Sequence, residues 1–286
     1  MLAVDDLLAM PADVKSVDWP ARDTIIYNLG IGLGPAAIED EGKLRYVLED
    51  RLVAFPTMAT VIGMSLAIFD PKYGMDYAGI LHGEEWITLH RPIPAKGKLV
   101  GATSVENIWD RGAEKGAILQ TRKVVTLEGD DNPIAETRTV LMLRKNGGFG
   151  GTEEGAPRVS RPPERAPDNS ITIATQPEQA LIYRLSGDLN PLHADPEVAK
   201  KAGFPAPILH GMGTYGVVAR AVVESACGGD ESILASYGMR FSSPVYPGET
   251  LRTDIWDLGN GEYAFQAHAI ERDVLVATGG RATIRT

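Results

Sequence analysis

The feature that most restricts what this chain can fold into is a repeat within its own sequence. Tyr27-Asn28-Leu29-Gly30-Ile31-Gly32 is matched by Tyr183-Arg184-Leu185-Ser186-Gly187-Asp188, and Phe55-Pro56-Thr57 by Phe204-Pro205-Ala206. Arg91-Pro92-Ile93-Pro94 with Gly97 is likewise matched by Ser243-Pro244-Val245-Tyr246-Pro247 with Gly248. The pairs recur in the same order at an offset of roughly 150 residues, which a duplicated domain explains most simply. Between the copies, Lys145 to Asn169 is rich in Gly, Pro and charge and holds little that could fill a core, the composition of a linker. The expected division is a first domain over 1–148, a linker over 149–169 and a second domain over 170–286, each large enough to bury its own core.

Within each half the pattern runs from a polar turn through short helices to one long apolar helix and then several strands. Tyr237 to Phe241, Thr250 to Leu258, Tyr263 to Glu271 and Val274 to Arg285 alternate or carry β-branched residues, as strands do. Gly83 to Leu89, Lys98 to Asp110, Ala117 to Leu127 and Ile134 to Arg144 are their counterparts. The apolar run Met58 to Phe69 reads as the buried helix of the first half and is too short to cross a bilayer. One long helix followed by antiparallel strands, without βαβ alternation, predicts an α+β fold with the helix packed on a curved sheet. No GxGxxG or P-loop follows a strand, so nucleotide chemistry lacks support.

Charge and cysteine content narrow the function further. A net charge of −10 over 286 residues leaves no broad basic face for nucleic acid, although a few local cations could still hold a phosphate-bearing small molecule. Cys227 is the single cysteine, which excludes an intrachain disulfide and a cysteine-rich zinc site and suits a reducing compartment. The start carries Asp5 and Asp6 where a secretory signal carries positive charge, and the end, Ile284-Arg285-Thr286, is not a peroxisomal tripeptide, so a cytoplasmic location without membrane insertion is expected.

The segment that carries chemistry is Tyr183 to Gly213. Just before it, Thr175-Gln176-Pro177-Glu178 has the form of a capping box opening a short helix that Ser186-Gly187 would end. Pro191 cannot sit inside a helix and biases Asn190 to an extended backbone, so Asp188, Asn190 and His193 stand together on an irregular loop. Asp195-Pro196 supplies an N-cap and first-turn proline for the next short helix, which Gly203 terminates. Reactive groups tend to stand on such braced loops, although an isolated D-x-N-P-x-H string is more often a set of turn caps with a packed histidine. Leu209-His210-Gly211-Met212-Gly213 then precedes the apolar run Thr214 to Ala226. If Gly211 opens that helix, its free backbone N–H lies at the positive end of the dipole with no side chain in the way, an oxyanion hole in outline. His210 reads as a hydrogen-bonded structural residue.

Y-x-L-S-G-D-x-N-P-L-H followed by F-P-x-P-I-L-H-G-M resembles the type-2, (R)-specific enoyl-CoA hydratases of the MaoC-like family. The likeness reaches the first half, where Tyr27 to Gly32 and Leu81-His82-Gly83-Glu84 resemble the non-catalytic repeat of the two-domain members. It implies a double hot-dog fold, each repeat a long helix wrapped by a curved antiparallel sheet. It further implies that Asp188 and His193 hold the attacking water while Asn190 and the Gly211 amide support the thioester carbonyl. The acyl-CoA substrate would place its tail in the first repeat, which has no Asp-x-Asn-Pro-x-His of its own. No cofactor and no metal is expected, CoA being part of the substrate, and a homodimer is the family expectation.

These groups suit hydration. Attack at the β-carbon needs a base for the water proton, and an imidazole with a reference pKa of about 6.5 takes it at little cost. Charge then develops on the thioester oxygen, where a helix N-terminal amide is worth about 3 to 4 kcal/mol. Sharing one water between His193 and Asp188 predicts addition to a single face, and the resemblance implies the (3R) alcohol. Arg240, Lys200, Lys201 and Arg184 lie near the motif but read as ordinary surface charges. A hot-dog thioesterase, a dehydratase acting on carrier-protein substrates, a non-catalytic acyl-binding subunit, and a metal site of Asp188, His193 and His210 are the competing readings.

Overall fold

In the computed structural model, which describes residues 2–285, the halves join into one continuous sheet. The strands are β1 (Asp13–Trp19), β2 (Ile80–Leu89), β3 (Gly97–Asp110), β4 (Ala117–Leu127), β5 (Asp130–Leu143), β6 (Asn169–Ala174), β7 (Leu234–Phe241), β8 (Thr250–Gly259), β9 (Glu262–Ala269) and β10 (Val274–Ile284). Their order across the sheet, β1-β3-β4-β5-β2-β7-β10-β9-β8-β6, is symmetric about its centre, each strand of the first half having its mate in the second. Every pairing is antiparallel. This is the double hot-dog that the family resemblance implies.

The two halves meet at β2 and β7, in register from Glu84 opposite Arg240 to Thr88 opposite Ser236. The ring of Trp86 lies over Gly238, where a Cβ would sit only 2.1 Å from it, so glycine is required for the join. Arg240 donates from Nε to the buried Glu84 carboxylate at 2.9 Å, and the Trp86 indole donates to the same carboxylate at 2.9 Å. Arg240 therefore staples the halves together and is not free to meet a phosphate.

The helices are α1 (Val4–Leu8), α2 (Ala21–Gly30), α3 (Leu33–Glu39), α4 (Gln179–Tyr183), α5 (Pro196–Lys201) and α6 (Gly211–Ala226). None among the described residues is long and apolar enough to cross a membrane. Helix α6 is the central helix of the second repeat: its Val217, Val218, Ala221 and Val222 are buried. Tyr215 and Tyr237 fix it to β7 by donating each to the other's carbonyl at 3.0 Å.

The first half departs from expectation here. Met58 to Phe69 is not a helix but two 3-10 turns, Pro56–Thr60 and Ala67–Phe69, joined by irregular chain. Gly63 adopts φ +55°, and a Cβ on it would lie 2.6 Å from the backbone of Gly101 in β3. Two glycines thus let the segment touch the sheet backbone to backbone, which breaks the helix, while Thr57, Thr60, Val61 and Ile62 give it little helical propensity to resist. The capping box is corrected too. The Thr175 hydroxyl donates to the Glu249 carbonyl at 2.8 Å and accepts from Gly248 N–H at 2.9 Å, and Gln179 instead reaches back to Gln176 N–H at 3.0 Å. From Arg144 to Asp168 the chain forms no strand or helix.

Candidate active site

The loop between α4 and α5 is held by its own side chains. Gly187, at φ +121°, turns the chain out of the 3-10 turn Arg184–Ser186 that follows α4. Asp188 Oδ1 accepts from Asn190 N–H at 3.1 Å, and Asn190 Oδ1 accepts from Leu192 N–H at 3.0 Å, starting the 3-10 turn Pro191–His193. Asp195 caps α5 by accepting from Glu197 N–H at 2.8 Å, and Gly203, at φ +89°, follows its end, as the sequence predicts. These turns point His193 inward, where it is buried, and leave Asp188 half exposed.

His193 Nδ1 lies 2.8 Å from the Ile208 carbonyl, which can only accept, so that nitrogen carries the proton. Its Nε2 is then a free lone pair, 4.0 Å from Asp188 Oδ2. That gap is too long for a direct hydrogen bond and short enough for one water to bridge. Burial holds the His193 pKa below the ordinary 6.5, against the opposing pulls of the Ile208 carbonyl and Asp188, so the ring is neutral near pH 7.

His210 packs face to face on His193, ring centroids 3.7 Å apart and planes 26° from parallel. Its Nε2 lies 3.1 Å from the Asp188 carbonyl, which makes Nε2 the donor, and burial together with His193 lowers its pKa to about 4. His210 is therefore a neutral plate that fixes both members of the pair. Ligand atoms of Asp188, His193 and His210 all lie within 4.8 Å of one another. Two imidazoles stacked in this way direct their in-plane lone pairs side by side, a poor arrangement for two bonds of about 2.1 Å to one cation.

Gly211 opens α6 as expected, with no side chain capping that terminus. Its neighbours place it: His210 stacks on His193, and Met212 lines the cavity that Asp188 borders. A Cβ on Gly211 would meet only the Phe241 ring, at 3.6 Å, so packing does not demand the glycine. Asn190 sits on the exposed side of the loop, its oxygen engaged by Leu192 and its amide nitrogen left for other use. Lys200 pairs with Glu197 at 3.1 Å on the surface, and Arg184 reaches only the Leu189 carbonyl at 3.4 Å.

The loop with its paired carboxylate and imidazole, beside an uncapped helix in a duplicated hot-dog, matches known proteins along its whole length. Residues 158–279 match the MaoC like domain, and residues 18–145 match the MFE-2 hydratase 2 N-terminal domain. The chain belongs to the MaoC-like dehydratases. It is 35% identical to the peroxisomal enoyl-CoA hydratase 2 of Arabidopsis thaliana, over 96% of this chain and 93% of that one. It is 40% identical to 3-hydroxyacyl-thioester dehydratase Y of Mycobacterium tuberculosis, over 90% and 88% of the two chains. The crystal structure of a MaoC-like dehydratase from Phytophthora capsici superposes with a TM-score of 0.86 at 35% identity, covering 99% of this chain and 98% of that one.

In this MaoC-like protein, Asp188 borders a cavity of about 330 Å³ that runs into the first half. Tyr183, Ser186 and Met212 line it from the second half, and Thr60, Val61, Met64 and Ile68 come from the broken-helix segment. The rest of the lining lies on β2 to β5 and includes His82, Glu85, Thr103 and Lys123, none of which the sequence analysis singled out as pocket residues. The signal was present: on β4 the inward series Leu119, Thr121, Lys123, Val125 holds two polar residues where apolar ones would be routine.

Proposed function

We propose that this MaoC-like enzyme adds water reversibly across the double bond of a trans-2-enoyl-CoA to give a (3R)-3-hydroxyacyl-CoA. The chain is a hydratase, a carbon-oxygen lyase. The observation that carries the mechanism is the free Nε2 of neutral, buried His193 facing, across 4.0 Å, the Asp188 carboxylate that borders the cavity running into the first half. Water held between them gives a proton to His193 Nε2 as its oxygen bonds to the β-carbon. The electron pair of the double bond moves to the α-carbon and the thioester oxygen, where the Gly211 N–H and the Asn190 amide stabilise it. Asp188 and His193 between them return one proton to the α-carbon on the face the water occupied, so addition is syn.

Only water and protons enter this scheme, so no metal or organic cofactor is part of the proposal, and chelation is expected to leave turnover intact. A homodimer and a cytoplasmic location belong to the same reading; light scattering and fractionation test them.

The direct test follows the loss of conjugated enoyl-thioester absorbance across a panel of acyl lengths. Asp188→Asn and His193→Gln are expected to fold normally and lose most turnover, and a fully active His193→Gln enzyme would refute the assignment.

A further inference from the structure

The inner face of the first half's sheet is polar where a core would be apolar. By register, Thr103 faces Lys123 and Lys123 faces Thr137, while in the neighbouring row Thr121 faces Thr139 and Thr139 faces Glu85. All six residues line the cavity that Asp188 borders. Above and below this band the same strands present Leu99, Val125 and Ala135 on one side and Val105, Leu119 and Leu141 on the other, in two separate apolar clusters. The polar residues are thus a confined stripe across an otherwise ordinary core face.

Structure alone does not call for this stripe. Lys123 is buried and donates to the carbonyls of Thr60 and Ile62 at 2.7 and 2.8 Å, which leaves one of its three protons unassigned. Glu85, also buried, accepts from Thr139 at 2.7 Å and sits 3.1 Å from His82 Nε2, both at one oxygen. The Thr103 hydroxyl is buried with no hydrogen-bond partner. Charges removed from water each cost several kcal/mol, and apolar residues of the same volume commonly serve stability as well or better. A buried hydroxyl left unpaired, in a cavity wall beside two buried ionisable groups, points to a partner that arrives with the ligand.

The charge balance selects the partner's chemistry. One cation and one anion stand in the stripe, so a further charge would be uncompensated, whereas a neutral oxygen could accept from Lys123 or a threonine and, as a hydroxyl, donate to Glu85. We propose that the acyl group taken by this site carries an uncharged oxygen substituent, a hydroxyl or ketone, away from its thioester end, seated on Thr103, Thr121, Lys123, Thr137 and Glu85. This deepens the hydratase reading, because the cavity that holds the stripe opens at Asp188.

The test uses saturated acyl-CoA esters of one chain length: unsubstituted, with a hydroxyl or ketone walked along successive carbons, and with a terminal carboxylate. Calorimetry on the intact enzyme is expected to show at least about tenfold tighter binding of the hydroxyl or keto ester at one position than of the plain ester. The carboxylate should gain nothing. Thr103→Val combined with Thr121→Val should shrink the advantage to within about threefold. If the pair of substitutions prevents folding, the wild-type comparison still decides. Equal or better binding of the plain chain at every substituent position, or best binding of the carboxylate, would overturn the proposal. Turnover of the matching enoyl esters separates the two readings: selective binding without hydration removes the hydratase function and leaves this inference standing, and hydration without selectivity does the reverse.

Discussion

The two halves share a strand plan and differ in what they do with the same two places. In the second half the central element is an unbroken 16-residue helix, and the loop before it carries Asp188, which borders a cavity, with His193 buried behind it. In the first half the helix is broken into 3-10 turns, and the loop equivalent to Asp188, around Gly32, is sealed. Ile31 there is fully buried against Gly216, where a Cβ would come within 2.3 Å of it, and its carbonyl accepts from Arg220 at 3.0 Å. One copy keeps the helix and with it the helix terminus and the reactive loop. The other gives up the helix, and the space released becomes the cavity. On the proposed function, duplication lets one fold meet two incompatible demands, rigidity at the reacting atoms and room for a tail.

The largest expected effect falls on the loop that stayed open. Asp188→Asn or His193→Gln should lower kcat by about 10²–10⁴-fold with the melting temperature nearly unchanged. The helix that leads into the sealed first-half loop should respond in the opposite sense. Asn28 is buried and donates to the carbonyls of Tyr46 and Val53 at 2.8 and 2.9 Å, so Asn28→Ala should cost about 1–3 kcal/mol of stability in urea melts without altering the chemical step. An Asn28→Ala enzyme as stable as the parent would break the comparison.

The broken helix can be probed at its hinge. Gly63→Ala forces a side chain onto a left-handed backbone 2.6 Å from Gly101, and a loss of about 1–3 kcal/mol is expected by thermal or chemical denaturation. Gly211→Ala should act smaller and on rate only: packing tolerates its Cβ, but the methyl crowds the amide, and a fall in kcat of about tenfold is expected at constant stability.

Acid should reveal the second half's buried imidazoles. In the proposed mechanism His193 works neutral, and burial depresses its pKa below 6.5, so the acid limb of kcat/KM should lie below pH 6.5. For stability the sign is the same. His193 and His210 are harder to protonate folded than unfolded, so nothing is lost above pH 6.5, and melting temperature should fall from pH 6.5 down towards about 4 as the unfolded chain takes up protons first. Replacing His210 with phenylalanine should flatten that decline, which differential scanning fluorimetry over the pH range would show.

How much of this was legible in the sequence follows from how local each feature is. Asp188 and His193 stand five positions apart in a loop whose shape Pro191 and Asp195 dictate, so their sharing one loop could be read from spacing, while their pairing rested on the family resemblance. The strands of alternating pattern were read nearly to their ends, Ala117–Leu127 among them, whereas the edge strands Asp13–Trp19 and Asn169–Ala174 were missed because few of their residues are buried. Met58 to Phe69 misled because an uncharged apolar run of that length reads as a buried helix, and what settles its shape is a contact with Gly101, distant in sequence. The polar stripe showed only in part, as Thr121 and Lys123 in the inward series of β4, because Glu85, Thr103 and Thr137 lie on three further strands that only pairing brings together.

The most direct test of one water shared by Asp188 and His193 is to run the hydration in deuterium oxide and read the relative configuration at the α- and β-carbons of the product by NMR. A single diastereomer with deuterium and oxygen added to the same face is the predicted result. Addition to opposite faces, or a mixture of diastereomers, would contradict it.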